Sequence, residues 1–238
     1  VDPIEGTNLI AKGQNGAIAV MAIAEHGGLL HAPDMYMQKI CVGPRGAGAI
    51  DLDKSLTENL QNVAKKMGRN VDELTVVMLD RERHYALMKE AREAGARVRL
   101  ISDGDVNPAM EACIEGSGVH MVVGVGGAPE GVLAAAALKC AGGDMQARLK
   151  PLTAQEEQRC HDMGIKDLNK VLTLDDLVPS DDVIFAATAI TQGNLLNGLQ
   201  YFPGGARTHT IVMRSKTGTV RFLDTIHMDK KLETIKAK

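Results

Sequence analysis

Asp2 and Glu5 flank Pro3-Ile4 at the start of the chain, and Gly6-Thr7 follow at once. Two carboxylates in a proline-stiffened turn can reach one cation, and a hydroxyl two residues on can touch the same water. Glu130 follows Gly126-Gly127-Ala128-Pro129 at the start of an expected helix and offers a third carboxylate. Hard oxygen donors of this kind suit Mg²⁺ or Mn²⁺ better than zinc. A second group of residues suits an anion. Leu79 runs into Asp80-Arg81-Glu82-Arg83, Ile101 into Ser102-Asp103-Gly104-Asp105, and Val125 into the glycines before Glu130. Guanidinium forks match phosphate oxygens, and helix N-termini favour negative charge. Cation and phosphate together suggest phosphoryl transfer to water.

These turns need a scaffold, and the apolar pattern supplies one. Leu74–Leu79, Arg97–Ile101 and Val119–Val125 read as strands, alternating with helices over Arg83–Ala94, Pro108–Glu115 and Pro129–Cys140. Such alternation implies parallel strands in an α/β layer, where ligands gather outside the carboxyl ends. An earlier helix is bounded by Ser55 with Glu58, a capping box, and by Gly68, with Leu56, Leu60, Val63 and Met67 on one face. Before it, Ala17–Ala24 reads as a buried strand that turns at Gly27-Gly28 and returns through Leu29-Leu30, and Lys39–Val42 as a further strand. After it come a helix over Ala154–Met163, a strand over Val183–Ala189, and strands Thr210–Met213 and Val220–Ile226 paired across Lys216-Thr217-Gly218. The organisation is therefore a β-rich start (1–50), an α/β centre (51–150) and a mixed end (151–238), forming one continuous unit.

Composition narrows the field. A net charge of −3 gives no broad electrostatic case for nucleic acid. No apolar run approaches the roughly 18 residues of a membrane span, and no Lys/Arg cluster marks a membrane surface. Cys41, Cys113, Cys140 and Cys160 form no close pair, which fits free thiols in a reducing compartment. Gly124-Val125-Gly126-Gly127-Ala128-Pro129 begins like a dinucleotide fingerprint, but Pro129 stands where Gly or Ala is required. No Lys-Ser or Lys-Thr follows Gly131, so a Walker A loop fails as well.

Each candidate also has a bland rival. Asp2, Glu5, Asp103 and Asp105 suit plain turns. Glu130 suits a helix dipole, and Arg81 and Arg83 a solvated face. Tyr36 suits half-buried packing, and His84 a structural role. Placing all of these segments on one sheet edge weakens the rivals together.

Asp2-Pro3-Ile4-Glu5-Gly6-Thr7 resembles the first metal motif of the lithium-sensitive, metal-dependent phosphatase superfamily. Glu at its fourth position is typical of class II fructose-1,6-bisphosphatases. Ala32-Pro33-Asp34-Met35-Tyr36-Met37, Ser102-Asp103-Gly104-Asp105 and Gly126-Gly127-Ala128-Pro129-Glu130-Gly131 are similar to further signatures of that class, and the resemblance runs from Val1 to about Met228. It implies a layered α/β/α/β/α sandwich, a homodimer or homotetramer, in the cytoplasm. The implied activity is hydrolysis of the 1-phosphate of fructose 1,6-bisphosphate in gluconeogenesis, with Mn²⁺ or Mg²⁺ as cofactor. The implied metal ligands are Asp2, Glu5, Glu130 and the Ile4 carbonyl, with Thr7, Glu5 and Asp2 catalytic. The implied substrate contacts are Glu5, Gly6, Thr7, Tyr36, Arg81, Glu82, Arg83, Asp103, Gly104, Asp105 and Gly127. Arg81 is often Lys in relatives, which keeps the charge and changes its geometry.

Two departures stand out. Relatives carry a longer N-terminal segment with an Asp and a Glu for another metal position, and a longer stretch between Arg148 and Glu156. A chain starting at Val1 without Met leads us to expect an omitted or cleaved segment. Cleavage of sedoheptulose 1,7-bisphosphate as well, or a non-catalytic binding domain if the chain truly starts at Val1, are the alternatives.

Overall fold

The computed structural model describes residues 1–228. In chain order its elements are β1 (Asp2–Glu5), α1 (Thr7–Ala11), β2 (Ile18–Ile23), β3 (Tyr36–Val42), α2 (Leu56–Met67), β4 (Thr75–Leu79), α3 (Tyr85–Glu93), β5 (Arg97–Ile101), α4 (Val106–Ala112), β6 (Met121–Gly127), α5 (Ala128–Ala141) and β7 (Asp144–Lys150). There follow α6 (Ala154–Asp162), β8 (Leu172–Thr173), α7 (Leu174–Leu177), β9 (Ile184–Ala189), β10 (Gln200–Phe202), β11 (Gly205–Arg214) and β12 (Thr219–Met228).

The strands form two sheets. One is antiparallel, in the order β1-β2-β9-β11, with β10 and β12 both on β11. The other is mixed, in the order β5-β4-β6-β3-β7-β8, with only β5, β4 and β6 parallel. None of the three sequence stretches owns a sheet. The first supplies β1 and β2 to one sheet and β3 to the other, and the last closes both. Residues 229–238 of the third stretch lie outside the described residues.

Side-chain alternation on the central strands serves two cores. Met37 and Cys41 of β3 and Val77 of β4 face α4 and α5, which lie between the sheets. Ile40, Val42, Val76 and Met78 face the opposite way, onto Leu56, Leu60 and Val63 of α2 and Met88 and Ala91 of α3. Helix α5 carries six alanines and is buried nearly all round, as a helix squeezed between two sheets must be. The α/β class expected from the sequence holds. Four of its five expected layers come from the described residues. A helical layer over the outer face of the first sheet does not, and Met21 and Ile23 there are 38% and 51% exposed.

Several expected elements stand where the pattern placed them. Ser55 Oγ accepts from the Glu58 amide, the Glu58 carboxylate answers the Ser55 amide, and Gly68 ends α2 in a left-handed conformation. Others require correction. Leu29-Leu30 forms no returning strand: the turn at Gly27 does form, but the Leu30 amide then donates to the Leu177 carbonyl, and β2 pairs with β1 and β9 instead. Strand β3 begins at Tyr36, not Lys39, and belongs to the other sheet. Helix α4 starts at Val106, two residues before Pro108, and ends at Ala112, so Asp105 sits at its very start. Strand β7 and the short helix α1 had no counterpart in the sequence reading. No helix among the described residues is long and apolar enough to cross a membrane.

Candidate functional site

The parallel trio β5-β4-β6 ends on one side of its sheet, and the three turns singled out in the sequence open there into a cavity of about 650 Å³. Asp2, Ile4, Glu5, Gly6 and Thr7 reach the same cavity from β1 and α1. Tyr36 enters from the start of β3, which pairs with Gly127 at the end of β6. Arg81, Arg83, Asp103, Gly104, Asp105, Gly127 and Glu130 complete the expected lining. Of the residues implied by the resemblance, only Glu82 does not line it. Glu82 opens a 3-10 turn with its side chain exposed, while Arg81 and Arg83 on either side face the cavity.

The carboxylates converge. Asp2, Glu5 and Glu130 each present an oxygen within 4.8 Å of the others. Asp2 is steadied by accepting the Ile4 amide at 2.9 Å. Glu5 is buried, and one of its oxygens accepts the Val106 amide at 3.3 Å. Burial pushes the Glu5 carboxyl up to about 8, and the neighbouring Asp105 and Glu130 carboxylates push in the same direction. Three crowded acidic groups with no cation among them are electrostatically unfavourable, and a divalent ion relieves both burial and repulsion. The donor set is all oxygen, so these residues fit Mg²⁺ or Mn²⁺.

Glycine matters at Gly127. It precedes α5, and Glu130 in the first turn folds its carboxylate back over it, so that a Cβ at this position would collide with Glu130 Oε2. Gly127→Ala is expected to swing Glu130 out of the cluster and to weaken Mn²⁺ binding about 10- to 100-fold, with little change in thermal unfolding. Titration calorimetry of both proteins checks this, and unchanged affinity would show that Glu130 does not need its folded-back position.

The arginines are held by carbonyls and not by acids. Arg81 donates to Asp80 O at 2.9 Å and Ser102 O at 2.8 Å, joining the turns after β4 and β5. Arg83 donates twice to Val125 O, at 3.1 and 2.8 Å, and its guanidinium carbon lies 4.9 Å from the centre of the Tyr36 ring. Neither forms an ion pair among the described residues, so their charge remains available to an anion in the cavity. Asp103 accepts the Asn8 amide at 3.2 Å, tying the turn after β5 to α1.

His84 beside Arg83 is structural. It is fully buried, its Nδ1 lies 2.8 Å from Leu79 O, and its Nε2 accepts the Val125 amide at 2.8 Å. Burial, with Arg83 and Arg81 adding, lowers its pKa, so the ring is the neutral Nδ1–H tautomer bridging the ends of β4 and β6. The cysteines are all free, and burial pushes Cys41 and Cys113 up to about 12, so neither offers a thiolate.

Sequence reasoning missed Lys39. It is buried in the middle of β3, with Nζ 2.7 Å from Asp105 Oδ2. Burial alone would lower its pKa, but the Asp105 carboxylate outweighs that and the net shift is upward. Asp34, Asn8 and Glu156 also line the cavity without having been singled out as site residues.

Cation-ready carboxylates facing fixed guanidinium groups across one cavity, at the strand ends of a layered α/β fold, suit a phosphoric monoester hydrolase. Comparison with known proteins agrees. Residues 1–227 match the family described as bacterial fructose-1,6-bisphosphatase, glpX-encoded. A D-fructose 1,6-bisphosphatase class 2/sedoheptulose 1,7-bisphosphatase of Synechococcus sp. (strain JA-3-3Ab) is 49% identical over 240 residues, covering 96% of this chain and 69% of that protein. A protein of the same name from Trichodesmium erythraeum (strain IMS101) is 46% identical over 250 residues, covering 100% of this chain and 72% of its own length. That aligned length exceeds the 238 residues of this chain, so this relative carries positions that the chain lacks. The chain belongs to the glpX-encoded bacterial fructose-1,6-bisphosphatase family.

Proposed function

We propose that the protein hydrolyses the 1-phosphate of fructose 1,6-bisphosphate, giving fructose 6-phosphate and phosphate, with Mn²⁺ or Mg²⁺ as cofactor. The observation that carries this reading is the convergence of Asp2, Glu5 and Glu130 within 4.8 Å, in a cavity also lined by Arg81 and Arg83.

Asp2, Glu5, Glu130 and the Ile4 carbonyl would hold the cation. When bound, it supplies acidification of a water and neutralisation of phosphoryl charge. The chain's own residues do the rest. Thr7 orients the attacking water, and its proton passes by way of the Thr7 hydroxyl to the Glu5 carboxylate. Water adds to phosphorus, the bond from phosphorus to the C1 oxygen breaks, and that oxygen leaves as the sugar hydroxyl after taking a proton from solvent water in the open cavity. Arg81 and Arg83 offset the charge of the phosphate groups. Asp103, Gly104 and Asp105 accept or flank sugar hydroxyls, while Tyr36, braced under Arg83, closes one wall. The stretches 1–50, 51–150 and 151–238 act as one unit, since both sheets draw on more than one of them. A role in gluconeogenesis, a cytoplasmic location and a homodimeric or homotetrameric state accompany this reading.

The printed names of the relatives favour a second substrate, sedoheptulose 1,7-bisphosphate. One assay addresses both. The purified protein is given each bisphosphate with Mn²⁺ or Mg²⁺, and free phosphate and the monophosphate product are measured with and without chelator. Cation-dependent release of one phosphate from the fructose ester supports the proposal. Turnover of neither ester with cation present defeats it.

A further inference from the structure

Among the described residues Lys39 is the only lysine in the buried class, at 3% exposure. It occupies the middle of β3, between Gln38 and Ile40, in a strand paired on both sides. A buried ion pair is a poor choice for stability alone, because desolvating two charges commonly offsets their attraction. An apolar side chain of similar shape often does as well in such a place. The position of the ammonium gives a different reason for it. Besides Asp105 at 2.7 Å it donates to the Gly127 carbonyl at 3.4 Å.

Both partners belong to the wall of the candidate site. Asp105 starts α4 and is followed by Val106, whose amide donates to Glu5. Gly127 ends β6 immediately before α5 and lies beneath Glu130. One ammonium therefore joins the two loops that place the substrate turn and two of the three acidic groups. The backbone has been cleared for this contact: a Cβ at Gly126 would collide with Asp105 Oδ2 and lie 3.1 Å from Lys39 Nζ.

We infer that Lys39 is a positioning residue, whose ammonium sets the Asp105 carboxylate and the Gly127 peptide so that the substrate turn and the start of α5 hold one fixed geometry. It touches no substrate itself. The inference rests on the phosphatase reading for its effect on turnover, and on geometry alone for its effect on the two loops.

A double-mutant cycle tests the first part. Lys39→Met and Asp105→Asn are each expected to lower kcat/KM on the order of 10²-fold, by analogy with residues that orient site ligands. The double variant is expected to lose far less than the product of the two single losses, because much of the effect of Lys39 runs through Asp105 and only the remainder through Gly127. Losses that multiply, or wild-type kinetics in Lys39→Met, overturn the inference. If Lys39→Met does not fold, Lys39→Gln keeps an N–H donor and takes its place in the cycle. The second part needs no turnover. A crystal structure of Lys39→Gln should show the Asp105 carboxylate and the Gly127 peptide displaced, and both groups unmoved would overturn the inference. A wild-type protein that cleaves no sugar bisphosphate defeats the phosphatase reading alone and leaves this structural comparison to decide the role of Lys39.

Discussion

Glu130→Gln is expected to cut turnover on the order of 10³-fold at a fixed Mn²⁺ concentration while leaving thermal unfolding of the cation-free protein unchanged or slightly higher. The amide has the shape of the acid and none of its charge, so the first turn of α5 and its packing beside Gly127 survive. One of three converging charges is lost, and the attraction for a divalent ion falls with it. In the cation-free protein the same change removes a group that pushes the Glu5 carboxyl upward, which relieves repulsion. The two effects thus have opposite signs, and a variant that is merely misfolded would not separate them. Steady-state kinetics across a cation titration, with unfolding curves recorded in chelator, give both numbers. Wild-type turnover would remove Glu130 from the site whatever its position in the fold.

Much of this arrangement was legible in the residues because each part carries its own local signal. The capping box at Ser55 and Glu58 and the stop at Gly68 state the ends of α2 without reference to anything distant. The turns after Leu79, Ile101 and Val125 are legible because parallel strands end in loops on one side, and polar or glycine-rich loops follow each of them. What failed depended on partners remote in sequence. Leu29-Leu30 has the composition of a strand, but its backbone is claimed by Leu177, about 150 residues away, and no local pattern reports that. Glu82 is no such failure: it lies between two cavity arginines, with its own exposed side chain outside the lining. Lys39 read only as the first residue of a short strand. Its meaning came from Asp105 and Gly127, which approach it only after β3 has paired with β6. Strand β7 was a different kind of miss. Met145, Ala147 and Leu149 alternate with Asp144, Gln146, Arg148 and Lys150, a plain period of two that would have found it.

The surroundings of Glu5 make cation binding depend on pH. Its carboxyl stands at about 8 in the cation-free fold, against an ordinary value of 4.5, through burial first and then the Asp105 carboxylate. A raised acid means that between those two values the folded chain keeps a proton that the unfolded chain releases. Stability of the cation-free protein therefore falls as pH climbs from about 4.5 to about 8, and this contribution is flat above. A cation takes the ionised carboxylate and must expel that proton. Mg²⁺ affinity is accordingly expected to rise by up to about tenfold per pH unit up to pH 8, and then to level off. The shift in melting temperature at one fixed Mg²⁺ concentration should grow over the same window. Calorimetry at pH 6.5 in buffers of different ionisation enthalpy should show close to one proton released per ion bound. In Glu5→Gln the release should vanish and the affinity should become weak and nearly flat with pH. An affinity for Mg²⁺ that is equally strong at pH 6 and pH 8 in the wild type would mean that Glu5 is not among the groups that receive the ion.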